Sequence, residues 1–122
     1  MKQFKALCLC SLLLLCTSPA FSHHSSSGID PDGSVTVKGI VKEFRWNNPH
    51  CWIELEVVNA AGVTEIWNFE MNPPSFLIRA GFTRSSMKPG DEVEVTARPF
   101  FDARPGGIYV SVKLANGETL SR

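Results

Sequence analysis

Beyond Ser22 this chain has a single cysteine. Of its four cysteines, Cys8, Cys10 and Cys16 lie close to the N-terminus, which leaves Cys51 alone. An intramolecular disulfide after Ser22 is therefore excluded, and packing must hold the fold together. An excess of positive charge is also lacking, since twelve Lys and Arg face twelve Asp and Glu. That balance argues against a nucleic-acid partner gripped through its phosphates. No apolar run is long enough to cross a bilayer, so no transmembrane segment is expected. Catalytic signatures are missing too: there is no glycine-rich phosphate loop, no Gly-x-Ser-x-Gly and no metalloprotease helix. The pairs Glu54/Glu56 and Glu92/Glu94 alternate as solvated strand faces do. The expectation is a protein without catalytic residues.

What is present starts with the N-terminus. Lys2 and Lys5 open the chain, and Ala6 to Cys16 is apolar except for Ser11. Ala20 and Ser22 put small residues where a signal peptidase cutting after Ser22 needs them. This pattern predicts a cleaved secretory signal over residues 1–22 and a periplasmic or secreted product. A competing reading takes Leu13-Leu14-Leu15-Cys16 as a lipoprotein signal with Cys16 lipidated. Leu15 is large where that signal has a small residue. Loss of Lys2 and Lys5 leaves ten basic against twelve acidic residues, a net charge of about −2. The remaining residues, roughly 100, suffice for one domain with a modest core, expected to be a monomer.

After a polar tail and turn over residues 23–33, the chain reads as strands. Asp30-Pro31-Asp32-Gly33 has proline and glycine where a turn uses them. Val35, Val37 and Val41 then alternate with polar neighbours, and Phe44 and Trp46 shift the phase. Gly39 is the expected bulge or bend. Asn47-Asn48-Pro49 ends this strand. A second, Cys51 to Val58, puts Cys51, Ile53, Leu55 and Val57 on one face. Asn59 to Gly62 is a hairpin loop, and a third strand runs from Val63 to Met71 with Trp67, Phe69 and Met71 together. Asn72 is the predicted N-cap of a helix with Pro73 first, apolar at Phe76, Leu77 and Ala80, and closed by Gly81. Val93, Val95 and Ala97 face inward from a fourth strand, and Ile108, Val110, Val112 and Leu114 from a fifth.

Three strands, one short helix and two strands, with a long bent first strand, form the plan of an OB-fold. Residues 34–122 are therefore expected to be all-β with one short helix, an OB-fold-like five-stranded barrel. An open β-sandwich and an SH3-like barrel are the alternatives. The expected core is Val41, Ile53, Leu55, Trp67, Phe69, Phe76, Leu77, Val93, Val95, Ile108 and Val110.

Five stretches carry a resemblance across nearly the whole of the chain beyond the signal. They are His23-His24-Ser25, Gly39-Ile40-Val41, Trp46-Asn47-Asn48-Pro49-His50, Arg79-Ala80-Gly81-Phe82, and Lys88-Pro89-Gly90-Asp91-Glu92-Val93. Together they resemble a family of small bacterial exported proteins of unknown function, with a histidine pair after the signal and an Asn-Pro-His motif after the first strand. The resemblance implies an exported single domain. It brings no activity and assigns no role to His23, His24, Asn48, Pro49 or His50.

Two sets of residues could carry function. Cleavage after Ser22 would leave His23 with a free amine beside its ring, and His24 adds another ring. Such nitrogen-rich sets suit copper, as Cu(II). His50 could supply a further ligand. If the Asp30–Gly33 turn sends the tail back along the first strand, His23 falls opposite roughly Ile40. His50 then lies tens of ångströms away at about 3.3 Å per residue, unless the barrel bends sharply. The simpler reading of the histidines is as tail and turn residues. The second set is Trp52 with Asn48. Trp52 shares a face with Glu54 and Glu56, away from Ile53 and Leu55, and so is the aromatic expected at the surface of that strand. Aromatics on the second and third strands of OB-folds serve as ligand platforms. A glycan or protein partner fits the acidic surroundings, and nucleic acid does not. Cys51 is expected to be a buried thiol pointing away from His50, so the two form no nucleophile–base pair.

Overall fold

The computed structural model describes residues 28–122, so the predicted signal, Cys16, His23 and His24 lie outside the described residues. Its elements are β1 (Val35–Arg45), β2 (Trp52–Val58), β3 (Thr64–Glu70), α1 (Pro74–Arg79), β4 (Glu92–Pro99), β5 (Gly106–Lys113) and β6 (Thr119–Ser121). The strands are ordered β3-β2-β1-β4-β5-β6, and a parallel β3–β5 pairing closes five of them into the OB-like barrel. β6 was not foreseen; it pairs antiparallel with the end of β5.

Strict alternation builds β2 and β4. Cys51, Ile53, Leu55 and Val57 are all buried, as are Val93, Val95 and Ala97. Each fully buried aliphatic of this kind contributes roughly 1.5–3 kcal/mol through removal from water. β1 serves two partners in succession. Val35 to Ile40 pair with β4, and Ile40 to Arg45 pair with β2. The strand can do this because a bulge falls between Val41 and Glu43, which leaves Lys42 as the extra residue. The bulge is therefore not at Gly39, as the sequence suggested. Gly39 is needed for closeness: a Cβ there would sit 2.6 Å from the Glu56 carbonyl oxygen of β2.

The seam between β3 and β5 also depends on missing side chains. Gly106 and Gly107 adopt positive φ of 134° and 155°. A Cβ on Gly106 would strike the Asn68 carbonyl of β3, and one on Gly107 the Arg98 carbonyl of β4. Only glycine lets β5 wedge between both neighbours.

Three parts of the expected core are corrected. In β5 the register slips between Thr96 and Ala97, so that Thr96 faces Ser111 and Ala97 faces Tyr109. Val110 is the bulged residue. The slip brings Tyr109 inward and leaves Ile108 and Val110 half-buried, while Val112 and Leu114 are buried as expected. Phe76 is 55% exposed, because only Leu77 of the six-residue α1 turns to the barrel. Trp67 is half-buried at the core's margin, stacked on Phe69 at 6.0 Å. The helix also begins one residue later than expected, with Pro73 as N-cap and Pro74 first. Its end matches the reading: Gly81 has φ 92°, and the Phe82 amide donates to the Leu77 carbonyl. Phe82 plugs this end of the barrel edge-on to Tyr109.

Residues 28–30 do not retrace β1. The Val35–Ile40 part of β1 has one edge taken by β4. Ile29 instead bridges Phe100, the Asp30 amide donates to the Pro99 carbonyl, and the Phe101 amide donates to Gly28. Ile29 is buried as a result.

Candidate functional site

The β1–β2 loop and the start of β2 bring together the residues singled out in the sequence. Asn47 and Asn48 are exposed, and the Asn48–Pro49 peptide is cis. The Cys51 thiol points inward and donates to the Asn47 carbonyl at 3.9 Å. Burial pushes that thiol's pKa up, so it is held protonated and unreactive. The Trp46 carbonyl on the other side of the loop accepts from Arg84 at 3.5 Å.

His50 points the opposite way from Cys51. Its Nδ1 lies 2.5 Å from Glu70 Oε1, and both side chains are about a third exposed. Glu70 is the cross-strand partner of Trp52, which in turn pairs with Arg45 of β1. The Arg45 guanidinium carbon sits 5.8 Å from the centre of the Trp52 ring, a cation–π arrangement. Trp52 is half-buried, less open than its face suggested. The result is an outward row of Arg45, Trp52 and Glu70, with His50 joined to its end. One strand step away, Lys42 reaches across from the bulge and pairs with Glu54 at 2.7 Å. Trp67, by contrast, has its indole N–H committed to Glu65 at 3.3 Å.

The β4–β5 loop flanks this surface. Phe101 at its tip is 65% exposed. Behind it, Arg104 lies 3.8 Å over the Phe100 ring and pairs with Asp102. In OB-folds the face of the second and third strands, framed by the first and last of these loops, is where ligands sit.

Of the predicted site residues, the structure gathers Trp52 and His50, with Asn48 exposed on the adjoining loop. Arg45, Glu70 and Lys42 were not anticipated. The signal for Glu70 was in the sequence, because a hairpin that pairs Val58 with Thr64 pairs Trp52 with Glu70 by counting outward. Arg45 needed the bulge to be placed first. As for metal, among the described residues no three of His, Cys, Asp and Glu come together as ligands. No helix among them is long and apolar enough to cross a membrane. The arrangement offers an aromatic plane edged by directional donors and acceptors.

The barrel is similar to that of the mitochondrial single-stranded DNA binding protein Rim1 from S. cerevisiae. The match has a TM-score of 0.51 and 13% identity, and covers 67% of this chain and 92% of that one. At that identity it shows the fold alone. No curated protein matches the sequence. The family whose pattern matches residues 11–109 is described as a family of unknown function (DUF6152), and this chain belongs to it.

Proposed function

We propose that this chain is a small exported, non-catalytic binding module whose ligand face is the outer surface of β2 and β3 around Trp52. The observation that carries the reading is the row Arg45, Trp52 and Glu70 with His50 held at its end. An indole plane with polar groups around its rim suits a sugar ring. The sugar's C–H face packs on the ring, and its hydroxyls meet Arg45, Glu70, His50 and Asn48. A protein partner with basic residues is the other ligand that this surface accommodates. Single-stranded DNA binding, named for the yeast neighbour, is not carried over. Stacking platforms for single strands come with cationic grooves, and here Glu43, Glu54, Glu56 and Glu70 lie on β1–β3. The test is amide and indole NMR of the protein with a panel of neutral and amino-sugar oligosaccharides. The expected result is movement of the Trp52 indole signal and at least ten-fold weaker binding by Trp52→Ala. Movement with a basic peptide alone would replace the sugar by a protein partner. No movement with either would refute the reading.

A second reading is Cu(II) binding by the processed N-terminus, through the His23 amine and ring, His24, and His50. It is supported by the course of residues 28–30. They pair with Pro99 to Phe101 rather than with β1. Copper titration tests it. Tight binding that is lost in His23→Ala/His24→Ala, and in a form with one extra N-terminal residue, is expected. Equal weak binding by all three would refute it. Because the ligands must be deprotonated, affinity is expected to fall in acid.

A further inference from the structure

Among the described residues are ten Lys and Arg side chains. Seven are engaged. Lys38, Lys42, Lys88, Arg45 and Arg104 pair with carboxylates, Arg84 with the Trp46 carbonyl, and Arg79 with the Phe76 ring. That leaves Arg98, Lys113 and Arg122 without a side-chain partner among the described residues. Two of those three, Arg98 and Arg122, line the same cavity of about 230 Å³. Its other walls are Ile29, Pro31 and Ile108.

The fold holds both arginines in place. Arg98 lies in β4, directly across from Ile108. Arg122 follows β6, and its amide donates to the Val110 carbonyl at 3.2 Å. The floor is rigid because Ile29 is buried against the end of β4. No carboxylate of the described residues pairs with either guanidinium. The Asp30 carboxylate accepts from the Asp32 amide, and Glu70 is held by His50. Arg122 also borders a second cavity of about 380 Å³, lined by Phe76, Arg79 and Ala80. A guanidinium without an anion, set in an apolar wall, is an unfilled bidentate donor.

We propose that this groove binds a small organic anion, with its carboxylate or phosphate head between Arg98 and Arg122 and its short apolar body along Ile108 or over Phe76. This site lies on β4, β5 and the residue after β6, two strands further around the barrel from Trp52, since Glu70 pairs with Ile108 and Ile108 with Arg98. The volume suits a ligand smaller than those that fill ordinary drug-sized pockets.

The probes are phenyl phosphate and benzoate, with inorganic phosphate as head alone and benzyl alcohol as body alone. Arginine Nε and backbone NMR signals report on the native protein. The expected result is that phenyl phosphate, benzoate or both shift the Arg98 and Arg122 signals. Arg98→Gln and Arg122→Gln should each weaken binding at least ten-fold, while Trp52→Ala leaves it unchanged. Preference between the two probes identifies the head group. Shifts as large with benzyl alcohol, undiminished binding in both variants, or no shift of either arginine signal at millimolar probe would overturn the proposal.

Discussion

Tyr109 is fully buried, and its hydroxyl has no hydrogen-bond partner. Its ring meets Phe82 edge-on at 6.0 Å, so the ring's packing is independent of the hydroxyl. An unsatisfied buried hydroxyl costs about 1–3 kcal/mol relative to water. Tyr109→Phe removes that cost and keeps the ring. It should stabilise the protein by about 1 kcal/mol, which raises Tm by roughly 4–8 °C for a domain of this size. The same burial pushes the phenol's pKa up to about 12, only partly countered by the positive Arg122. An unfolded tyrosine ionises near 10. Between those values the unfolded chain has released a proton that the folded one retains. Stability is therefore fully present below pH 10 and declines as pH rises towards 12, by roughly 2–3 kcal/mol in all. Tyr109→Phe should lack this part of the alkaline decline. Tyr109 is the only tyrosine in the chain, so phenolate absorbance follows it alone. The assays are thermal unfolding of both proteins at pH 7 and across pH 9–12, with absorbance titration of the native form. A variant less stable than the parent at pH 7, or a phenol titrating at its ordinary value, would refute the reasoning. Either would mean that the hydroxyl holds a partner such as an internal water.

Gly107→Ala should destabilise the barrel by about 2 kcal/mol or more, because its methyl meets the Arg98 carbonyl and its φ of 155° strains alanine. Chemical denaturation reads this, and a variant within about 0.5 kcal/mol of the parent would show that the seam yields freely. Cys51, buried and with its thiol pKa raised, should react with a thiol reagent only as fast as the native protein opens. Rapid labelling of the folded form would contradict its placement. Lys42→Ala should leave folding nearly unchanged, since its ion pair with Glu54 is largely solvent-exposed on the lysine side. A clear shift of the denaturation midpoint would give the pair a structural weight that its exposure does not support.

The architecture was legible where a strand keeps one partner on each side and one phase throughout. From Cys51, just before β2, to Val57 the alternation is uninterrupted, and each inward residue was foreseen. In β5 the inward course of Val112 and Leu114 was legible, but Ile108 and Val110 were misread because the bulge at Val110 flips the phase mid-strand and no glycine or proline marks it. The bulge in β1 was foreseen but placed at Gly39, a glycine that answers instead to the nearness of β2. The Asp30–Gly33 turn announced a reversal but not its partner, because a turn does not reveal which strand edges are vacant. At the candidate site, the outward course of Trp52 followed from alternation alone. The Glu70–His50 contact required the register of two strands at once, and Arg45 required the bulge.

The closing seam joins Asn68–Glu70 to Gly106–Ile108, segments far apart in the chain. As the chain emerges from synthesis, β1, β2 and β3 can form a meander from local hairpins. That meander has two open margins until β4 and β5 exist, and each is a row of unpaired amides and carbonyls beside a half-covered apolar face. Folding to the barrel is correspondingly governed by non-local encounter and is slow compared with helical domains of equal size. The interval between the making of Glu70 and of Ile108 is thus when the protein is most open to pairing with the wrong chain. A truncation between Glu70 and Gly106 would make that interval permanent.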